Sequence, residues 1–431
     1  MSDDASLDEI AQEVEGDEDE RSRDLSEVKL QEVAYKRSEN VNPREVDLDR
    51  HVGLEHIEPN SPSPNWESLD DLSSTKRRFE SGDILFAKLR PNLEKAAQPD
   101  FDGVASTDIF PIVAEQDINS KYLLYRLSSK SAFDHARRTS AGTRMPRTSW
   151  NLFSNFDFRL PPLLEQRKIA TILHTIDQAI QKTEDIIEQT KKLKKGVMKE
   201  LFTEGYYHHD DTEDGTLRWR SVPASWTLPQ LSEVADINPS YNGVDSLVDY
   251  IEMDAVDTIL PDPQYVSKRN PSENSGRMFK TNDTLFARIT PCTENGKICF
   301  VNELESEVGI GSTEHVVLSP NDEILPKYLY HYTRTHPVRD YAISRMRGST
   351  GRQRVPFDVF RKELHIPLPS NKEQANIVRC LDSFDDRIKN NQRYQVQLRH
   401  LKRGLMQDIL SGDVRTADVE IDIPEEVAKY G

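Results

Sequence analysis

Two long stripes of apolar residues dominate the pattern of hydrophobic and polar positions along the chain. Apolar residues recur in each stripe at alternating steps of three and four over about 40 positions, the spacing of one narrow helix face. Stripes this long predict two coiled-coil helices, each about 60 Å long at about 1.5 Å per residue. Helices packed separately on their own domains would leave that length unexplained. The predicted seam residues are Ile169, Leu173, Ile176, Ile180, Leu193, Ile377, Leu381, Phe384, Ile388, Leu398 and Leu401.

Short apolar runs bounded by turn residues predict the strands of two similar globular domains. The runs 83–89 and 283–289 lie in longer segments that match each other at an offset of 200 residues. The two long helices match at an offset of 208. A repeat of this length is too long for a solenoid. The sequence therefore predicts an α+β fold with two homologous globular domains, each followed by a long helix.

Composition shifts and proline-containing turns divide the chain into seven segments. Each domain ends in a basic loop and a proline turn, which interrupts the chain before a helix begins. The segments are an acidic disordered tail at 1–24, the first domain at 25–162, the first long helix at 163–205, an acidic linker at 206–217, the second domain at 218–369, the second long helix at 370–412 and an acidic tail at 413–431.

The negative charge of the chain is concentrated outside the repeats. The formal net charge is −18 at pH 7, and acidic residues exceed basic ones by 9 in 1–24, by 4 in 206–217 and by 4 in 413–431. The repeated units are therefore nearly neutral and can hold basic faces. We expect the acidic tails to be solvated and mobile.

Composition also argues against membrane and metal proteins. No stretch is apolar enough to cross a bilayer, and the acidic beginning is the reverse of a secretory signal, so we expect a cytoplasmic protein without a membrane partner. Cys292, Cys299 and Cys380 lack metal-ligand spacing with a matching set of histidines. We predict reduced, structural cysteines and no metal site.

The order of the repeated motifs resembles one protein family. Glu165-Gln166 and Glu373-Gln374 open the long helices, Asp177 and Asp385 follow at the same position in each, and both helices close on Leu-Lys-x-Gly-x-Met. A globular domain, a basic loop, a proline turn and such a helix, given twice over residues 25–412, resemble the DNA-specificity subunits of type I restriction-modification systems.

This resemblance implies a function and a set of partners. In such subunits, two target recognition domains each bind one half of a split sequence in double-stranded DNA. The two helices pair as an antiparallel coiled coil, which sets the gap and docks two methyltransferase subunits, and restriction (translocase and nuclease) subunits join that core. The seam residues would then serve both pairing and docking. The chain itself would be non-catalytic and without a cofactor, whereas its partners would use S-adenosylmethionine, ATP and magnesium.

Basic side chains are the predicted DNA contacts, because arginine fits guanine edges and both arginine and lysine bind phosphate. Four arginines lie between positions 345 and 354, the clearest basic loop. The order of the motifs places Arg144 and Arg354 at equivalent positions of the two copies, which favours a shared task such as phosphate contact or domain bracing. The candidates are Lys88, Arg90, Arg138, Arg144, Arg147, Arg288, Lys297, Arg345, Arg347, Arg352 and Arg354.

Two other functions stay open at this point. One is a stand-alone enzyme that modifies or cleaves DNA through fused recognition domains, and the other is a coiled-coil scaffold that does not bind DNA. Residues 238–241, Asn-Pro-Ser-Tyr, resemble the Asn-Pro-Pro-Tyr motif of amino-methyltransferases but differ at the third position. The sequence has no glycine-rich turn for S-adenosylmethionine and no Gly-x-x-x-x-Gly-Lys phosphate loop. We therefore predict a loop at 238–241 and catalysis by partner subunits.

Overall fold

The chain forms two compact units, each of which receives part of both long helices. Thr183–Tyr394 form the second unit, and the residues before and after them form the first unit. The predicted acidic segment 1–24 lies outside the described residues. A computed structural model describes residues 25–70, 72–209, 211–213, 222–241, 247–271 and 275–429.

The elements up to the end of the first long helix are short strands and helices, with two 3-10 turns at Leu54–His56 and Pro91–Leu93. The strands are β1 (Ser26–Lys29), β2 (Ala34–Lys36), β3 (Asn40–Val41), β4 (Arg50–Val52), β5 (Glu67–Ser68), β6 (Lys76–Phe79), β7 (Ile84–Ala87), β8 (Ala96–Ala97), β9 (Gly103–Ala105), β10 (Ile109–Ala114) and β11 (Asp157–Leu160). The helices are α1 (Leu30–Val33), α2 (Ser120–Leu127), α3 (Lys130–Arg138), α4 (Trp150–Phe153) and α5 (Leu163–Thr203).

The later elements largely repeat this order, with a π-helical turn at Val359–Glu363. The strands are β12 (Thr212–Glu213), β13 (Val222–Pro223), β14 (Ala235–Ile237), β15 (Val248–Ile251), β16 (Ser267–Arg269), β17 (Arg277–Phe279), β18 (Thr284–Ala287), β19 (Ile298–Phe300), β20 (Gly309–Gly311) and β21 (His315–Pro320). The helices are α6 (Leu231–Val234), α7 (Pro326–Thr333), α8 (His336–Ser344), α9 (Asn371–Ser411) and α10 (Glu425–Ala428). None of the helices in the described part of the chain has the length and hydropathy needed to traverse a bilayer.

Matching sheets in the two units confirm the predicted duplication. One antiparallel sheet has the order β2-β10-β7-β8 in the first unit and β14-β21-β18-β19 in the second. The second sheet has the order β3-β6-β9-β4-β5 in the first unit and β16-β15-β20-β17 in the second. Each of these sheets contains one parallel pair, β4 with β9 in the first unit and β15 with β20 in the second. Small hairpins or pairs complete the set, β1 with β11 and β12 with β13.

The central strands are continuously apolar because they are covered on both faces. Successive side chains of a strand point to opposite sides. In β7, Ile84 and Phe86 join the core beneath the helices, whereas Leu85 joins a smaller core against the second sheet. In β18, Phe286 likewise joins the core beneath the helices, and Leu285 joins the smaller core against the second sheet. The short apolar runs in the sequence are therefore sandwiched strands.

Segments of the two long helices pack antiparallel in each unit. In the first unit, Ile169 shares a core with Ile409, and Asp177 accepts a hydrogen bond from Lys402. In the second unit, Phe202 shares a core with Ile377, and Lys194 binds both carboxylate oxygens of Asp385 at 2.5 and 2.6 Å. In both units, the contacted position on α9 moves toward the start of that helix as the position on α5 moves toward its end. The predicted antiparallel coiled coil is confirmed.

Two predicted seam residues, Leu193 and Leu401, were wrong. Their side chains are 58% and 51% exposed, whereas the neighbouring Lys194 and Lys402 are only 7% and 8% exposed. On α5, the buried face advances four residues from Thr190 to Lys194 and not three residues to Leu193, so it continues through a lysine. A lysine tolerates this place because its methylene stem packs against apolar groups and its amine meets a buried aspartate. Ile180 and Phe384 are only partly buried.

The Glu-Gln motif joins each long helix to its domain. The Gln166 side chain accepts a hydrogen bond from the backbone of Asn119 and donates one to Pro161 O, at 2.8 and 2.9 Å. Gln374 makes the same pair of contacts with the backbones of Leu325 and Pro369, at 2.8 and 3.0 Å. The amide therefore satisfies backbone groups that would otherwise be buried without partners.

The described part of the predicted acidic tail at 413–431 is anchored at several residues, although most of its side chains are exposed. The Arg415 guanidinium binds both oxygens of Glu165, Thr416 N donates to the same carboxylate at 2.9 Å, and Val427 is fully buried. Burial alone would raise the pKa of Glu165, but the hydrogen bonds from Arg415 and Thr416 leave that pKa below its ordinary value. Charge counting misses such contacts because it weighs the net charge of a segment and not its individual partners.

The described part of the predicted linker at 206–217 packs in a corresponding way. Tyr206 N donates to Glu373 at 3.0 Å, and the His209 ring lies 3.0 Å from the same carboxylate. Trp226 Nε1 donates to its other oxygen at 3.2 Å. Glu165 and Glu373, one per helix, therefore both anchor the chain segment that follows a long helix.

Candidate nucleic-acid interface

A short hairpin in each unit carries several of the predicted DNA contacts. Ala141 and Arg147 exchange two backbone hydrogen bonds of 3.0 Å, and Arg347 and Arg354 exchange two of 2.9 Å. Gly142 and Gly348 adopt φ values of 100° and 132°, a region open to glycine but strained for other residues. The glycines therefore let the chain turn sharply between its basic residues.

An ion pair ties the end of each hairpin to the loop before a central strand. Arg147 Nε and Nη2 donate to the two oxygens of Asp108 at 2.9 and 3.1 Å. Arg354 Nε and Nη2 bind Glu314 at 2.9 and 2.6 Å. The hydrogen bonds from these arginines hold the pKa of both carboxyl groups below their ordinary values. We call these two pairs the hairpin braces.

The braces correct the predicted equivalence of Arg144 and Arg354. Arg147 pairs with Leu89 in the backbone ladder, and Arg354 pairs with Ile289 at the corresponding place after a central strand. Arg147 is therefore the counterpart of Arg354, and its side chain does the same work. Arg144 has no counterpart of that kind, because the two hairpins differ in length and sequence spacing cannot align their interiors.

Four further candidates use their side chains inside their own unit. Lys88 lies 5.7 Å from the Phe110 ring, and burial lowers its pKa. The remaining three bind backbone or carboxylate groups. They are Arg288 Nε to Val355 O at 2.9 Å, Lys297 Nζ to Met253 O at 2.7 Å and Arg345 Nε to Glu363 at 2.8 Å.

The other five candidates present exposed guanidinium groups. Within the described part of the chain, their side chains take part in no ion pair or hydrogen bond, so they are free to meet a nucleic acid. They lie on or beside the two hairpins and the 3-10 turn after β7, and they are Arg90, Arg138, Arg144, Arg347 and Arg352.

Three groups of acidic and histidine side chains in the described residues are close enough to surround an ion. In the first, His56 Nδ1 accepts a hydrogen bond from Gly53 N, so the proton of the neutral ring is on Nε2 and blocks ligation by that atom. The second group consists of His331, Asp382 and Asp385, and the carboxylate of Asp385 already binds the amine of Lys194. The third, at Glu200, consists of exposed residues only. These contacts favour structural roles over metal binding.

Comparison with known families matches residues 53–192 and 266–399 to the type I restriction modification DNA specificity domain. The two matches fall on the two copies of the repeat and together cover more than half of the chain. This chain belongs to the type I DNA-specificity family. The family prediction made from the sequence is confirmed, and the two globular domains are the two recognition domains of a specificity subunit.

Individual relatives agree with this assignment. The chain is 24% identical over 331 residues to the type I restriction enzyme MjaVIII specificity subunit of Methanocaldococcus jannaschii, covering 74% of this chain and 76% of the relative. It is 32% identical over 162 residues to the EcoEI specificity subunit of Escherichia coli, covering 36% and 27%.

Solved structures show the same fold. A chain from a study of type I restriction-modification complex assembly aligns with a TM-score of 0.55 at 19% identity, over 90% of this chain and 98% of that one. The specificity subunit from M. genitalium aligns with a TM-score of 0.50 at 12% identity, over 90% and 96%.

Sequence reasoning missed the carboxylates of the hairpin braces. It selected arginines for their charge and paired none of them with a carboxylate, although Ser106-Thr107-Asp108 and Ser312-Thr313-Glu314 recur at an offset of 206. An acidic residue repeated at the same place in both recognition domains was the available signal. Its partner was not visible, because Asp108 and Arg147 are distant in sequence and meet only through the sheet.

Proposed function

We propose that this specificity subunit binds one asymmetric, two-part DNA sequence, with each recognition domain contacting one half-site. One observation carries the proposal: the two domains share their sheets and hairpin braces but present different exposed arginines. The first domain offers Arg90, Arg138 and Arg144, and the second offers Arg347 and Arg352. Shared parts explain a common way of meeting duplex DNA, and different side chains explain different half-sites.

The exposed arginines are proposed to contact DNA directly. A guanidinium can bind the O6 and N7 atoms of guanine or a backbone phosphate. The six candidates with internal partners, namely Lys88, Arg147, Arg288, Lys297, Arg345 and Arg354, are proposed to shape and brace the surface. Their side chains would have to break an existing contact before reaching a base.

The long helices are proposed to set the gap between the half-sites. Each contains 41 residues and so spans about 60 Å. Buried lysine-aspartate pairs fix the register of the antiparallel segments in both units, since leaving either charge unpaired would be costly. Such a frame suits a spacer that must hold one length.

The helices are also proposed to dock two methyltransferase subunits on their exposed faces. Leu193 and Gly196 on α5 recur as Leu401 and Gly404 on α9. Outside its own helix backbone, a Cβ added to either glycine would meet no atom of the described residues within 4 Å, so packing among these residues does not require glycine there. Each glycine costs a helix about 1 kcal/mol relative to alanine. Close approach of a partner helix explains both glycines, and two equal patches fit two copies of one partner.

Substitution of these glycines tests the docking surface. Gly196→Ala and Gly404→Ala should each stabilise the chain by up to about 1 kcal/mol. Gly196→Leu and Gly404→Leu should each reduce the amount of methyltransferase that co-purifies with the chain. A chain carrying both leucines that still retains two methyltransferase subunits would contradict the docking proposal.

Catalysis is proposed to belong to the partners, which would use S-adenosylmethionine, ATP and magnesium in the cytoplasm. Family membership implies a complex with DNA and with methyltransferase and restriction subunits. In this chain Asn238, the first residue of the motif-like loop, has a φ of 55° and accepts a hydrogen bond from Val317 N at 3.0 Å. That contact uses the side chain to hold the loop. Methylation of DNA by the purified chain alone would instead establish a fused enzyme.

A domain exchange tests the two-part target. Residues 218–366 would be replaced by those of a relative, and the methylated motif would be determined by methylation-sensitive sequencing of a host genome. We expect one half-site to change while the other half-site and the gap stay the same. A change in both half-sites, or in neither, would refute the proposal.

A further inference from the structure

A cavity of about 790 Å³ opens in the first unit between α9 and the turn that joins α2 to α3. Its floor includes the apolar side chains of Ile180, Met406 and Leu410, and its rim includes Arg399 and Arg403. This is the size range of sites that hold a ligand or a peptide segment. We call it the first-unit groove.

The corresponding place in the second unit is filled by its own side chains. Phe202, the counterpart of Leu410, packs its ring against Tyr328 and Tyr332 at centroid distances of 5.1 and 6.2 Å. Ile388, the counterpart of Ile180, is only 1% exposed, whereas Ile180 is partly exposed in the groove. The two units therefore differ here: Leu410 is smaller than its counterpart Phe202, and Ile180 is partly exposed where Ile388 is covered.

The chemistry of the groove favours an acidic, amphipathic occupant. Three of its cationic groups are already used, since Lys402 binds Asp177 at 2.5 Å, Arg126 donates to Leu410 O at 2.8 Å and Lys130 pairs with Asp134. The two carboxylates of the lining, Glu94 and Asp134, are both paired with Arg137. Arg399 and Arg403 on the rim are exposed, and their side chains make no ion pair among the described residues. An occupant with apolar residues on one face and carboxylates beside them would match both floor and rim.

The chain itself contains a segment with that pattern. Leu7, Ile10 and Val14 follow the spacing i, i+3 and i+7, and Asp8, Glu9, Glu13 and Glu15 surround them. Such spacing places the apolar residues on one helix face. The excess of nine acidic residues in 1–24 complements the two free arginines of the rim.

The segment is also attached close to the groove. Leu25, the first described residue, lines a small cleft with Leu410 and Gly412, and Leu410 also lines the groove. The stretch 15–24 between Val14 and Leu25 can span up to about 33 Å when extended. The tether is therefore long enough for Leu7–Val14 to reach the groove.

We propose that residues 7–15 bind the first-unit groove, with Leu7, Ile10 and Val14 on its apolar floor and the carboxylates at Arg399 and Arg403. The contact would cover the groove face of α9 in the first unit, and the second unit has no corresponding contact among its described residues. The intramolecular contact does not rest on the proposed docking function.

Hydrogen exchange of the full-length chain, without partners, tests the contact. Amides in 128–136 and 403–411 should exchange at least about threefold faster in the variant Leu7→Asp/Ile10→Asp than in the wild type. Gly16→Asp is the matched control, because on a helix position 16 lies opposite position 7, and it should exchange like the wild type. Equal exchange in the wild type and the double variant would overturn the proposal.

A charge exchange gives a second, independent test. Arg399→Glu/Arg403→Glu should speed exchange in 128–136 as the segment variant does, and adding Glu13→Lys/Glu15→Lys should restore slow exchange. Failure of that restoration would count against the contact. If protection of the groove appears only when the methyltransferase is added, the occupant is the partner and the intramolecular proposal is wrong. Complex formation by the wild type is scored separately, so failure of the proposed function remains distinguishable.

Discussion

Arg147 and Asp108 are joined by two parallel hydrogen bonds of 2.9 and 3.1 Å. The pair connects residues 39 positions apart and closes a basic hairpin onto the central sheet. Arg354 and Glu314 make the corresponding pair in the second domain. Since the arginine is held by a carboxylate of its own domain, its main effect on DNA recognition should be through the position of the hairpin.

Loss of one brace should weaken binding of one half-site. Asp108→Asn keeps the shape of the side chain but removes its charge, and a charged hydrogen bond contributes about 1.5–3 kcal/mol. We expect the assembled complex to bind its target at least about tenfold more weakly, measured as Kd at fixed ionic strength. The exposed Asp100→Asn is the matched control. Wild-type affinity in the Asp108 variant would show that the hairpin holds its place without the brace.

Loss of a buried lysine should destabilise the second unit. Lys194→Met leaves Asp385 charged and buried without its partner, and breaking such a pair typically costs about 3–5 kcal/mol. The expected result is a lower urea midpoint for unfolding. The double variant Lys194→Met/Asp385→Leu should recover most of the loss, because no unpaired charge remains. Lys195→Met, at an exposed neighbouring position, should change little, and an equal effect there would refute the role of the buried pair.

Acid should destabilise the second domain through His315. This ring is fully buried, and burial lowers its pKa from 6.5 to about 4. At this ring the unfolded chain binds more protons than the folded chain between these values, so the contribution of His315 to stability falls as pH drops from about 6.5 to about 4, by about 3 kcal/mol at most. Burial raises the pKa of Asp283 to about 6, and this group acts in the opposite direction below that pH. The first domain has Ile109 at the equivalent place, paired with Ala87 as His315 is with Ala287.

Replacing His315 by its counterpart checks this assignment. His315→Ile should flatten the pH dependence of the thermal midpoint over that range. His174→Ile, at a histidine of the first unit that is hydrogen-bonded to Glu426, serves as a comparison. Unchanged acid sensitivity in the His315 variant would exclude this ring as its source.

Lengthening both long helices should change the gap and leave the half-sites unchanged. Seven residues inserted in each helix, between Asp177 and Lys194 and between Asp385 and Lys402, add about 10 Å, or about three base pairs. Sequencing of the methylated motif measures the outcome. Insertion into one helix only should prevent assembly, because it shifts the two helices out of register. A change in the half-site bases would mean that the helices do more than space the domains.

The sequence predicts the parts of this fold that depend on repetition and periodicity. The duplicated strands, the long helices and the family follow from matching segments, because equal patterns of burial produce equal patterns of apolar residues. Lys194 and Lys402 escaped prediction because apolar periodicity assigns a lysine to the surface unless its buried carboxylate partner is known. Arg147 was identified as a candidate but not as a brace, because its partner is reached only through the fold. Arg415 was likewise hidden by the negative charge of its segment.

The buried pairs have a consequence for how such a chain can change. Asp177 and Lys194 lie 17 residues apart in α5, and Asp385 and Lys402 lie 17 residues apart in α9. A recognition domain can be replaced by a single exchange of sequence, which leaves all four residues in place. A new gap instead requires two insertions or deletions of equal length, one in each helix, because a change in one helix alone leaves a buried charge without its partner. Inheritance of new half-sites should therefore be frequent in this architecture and inheritance of new gaps rare.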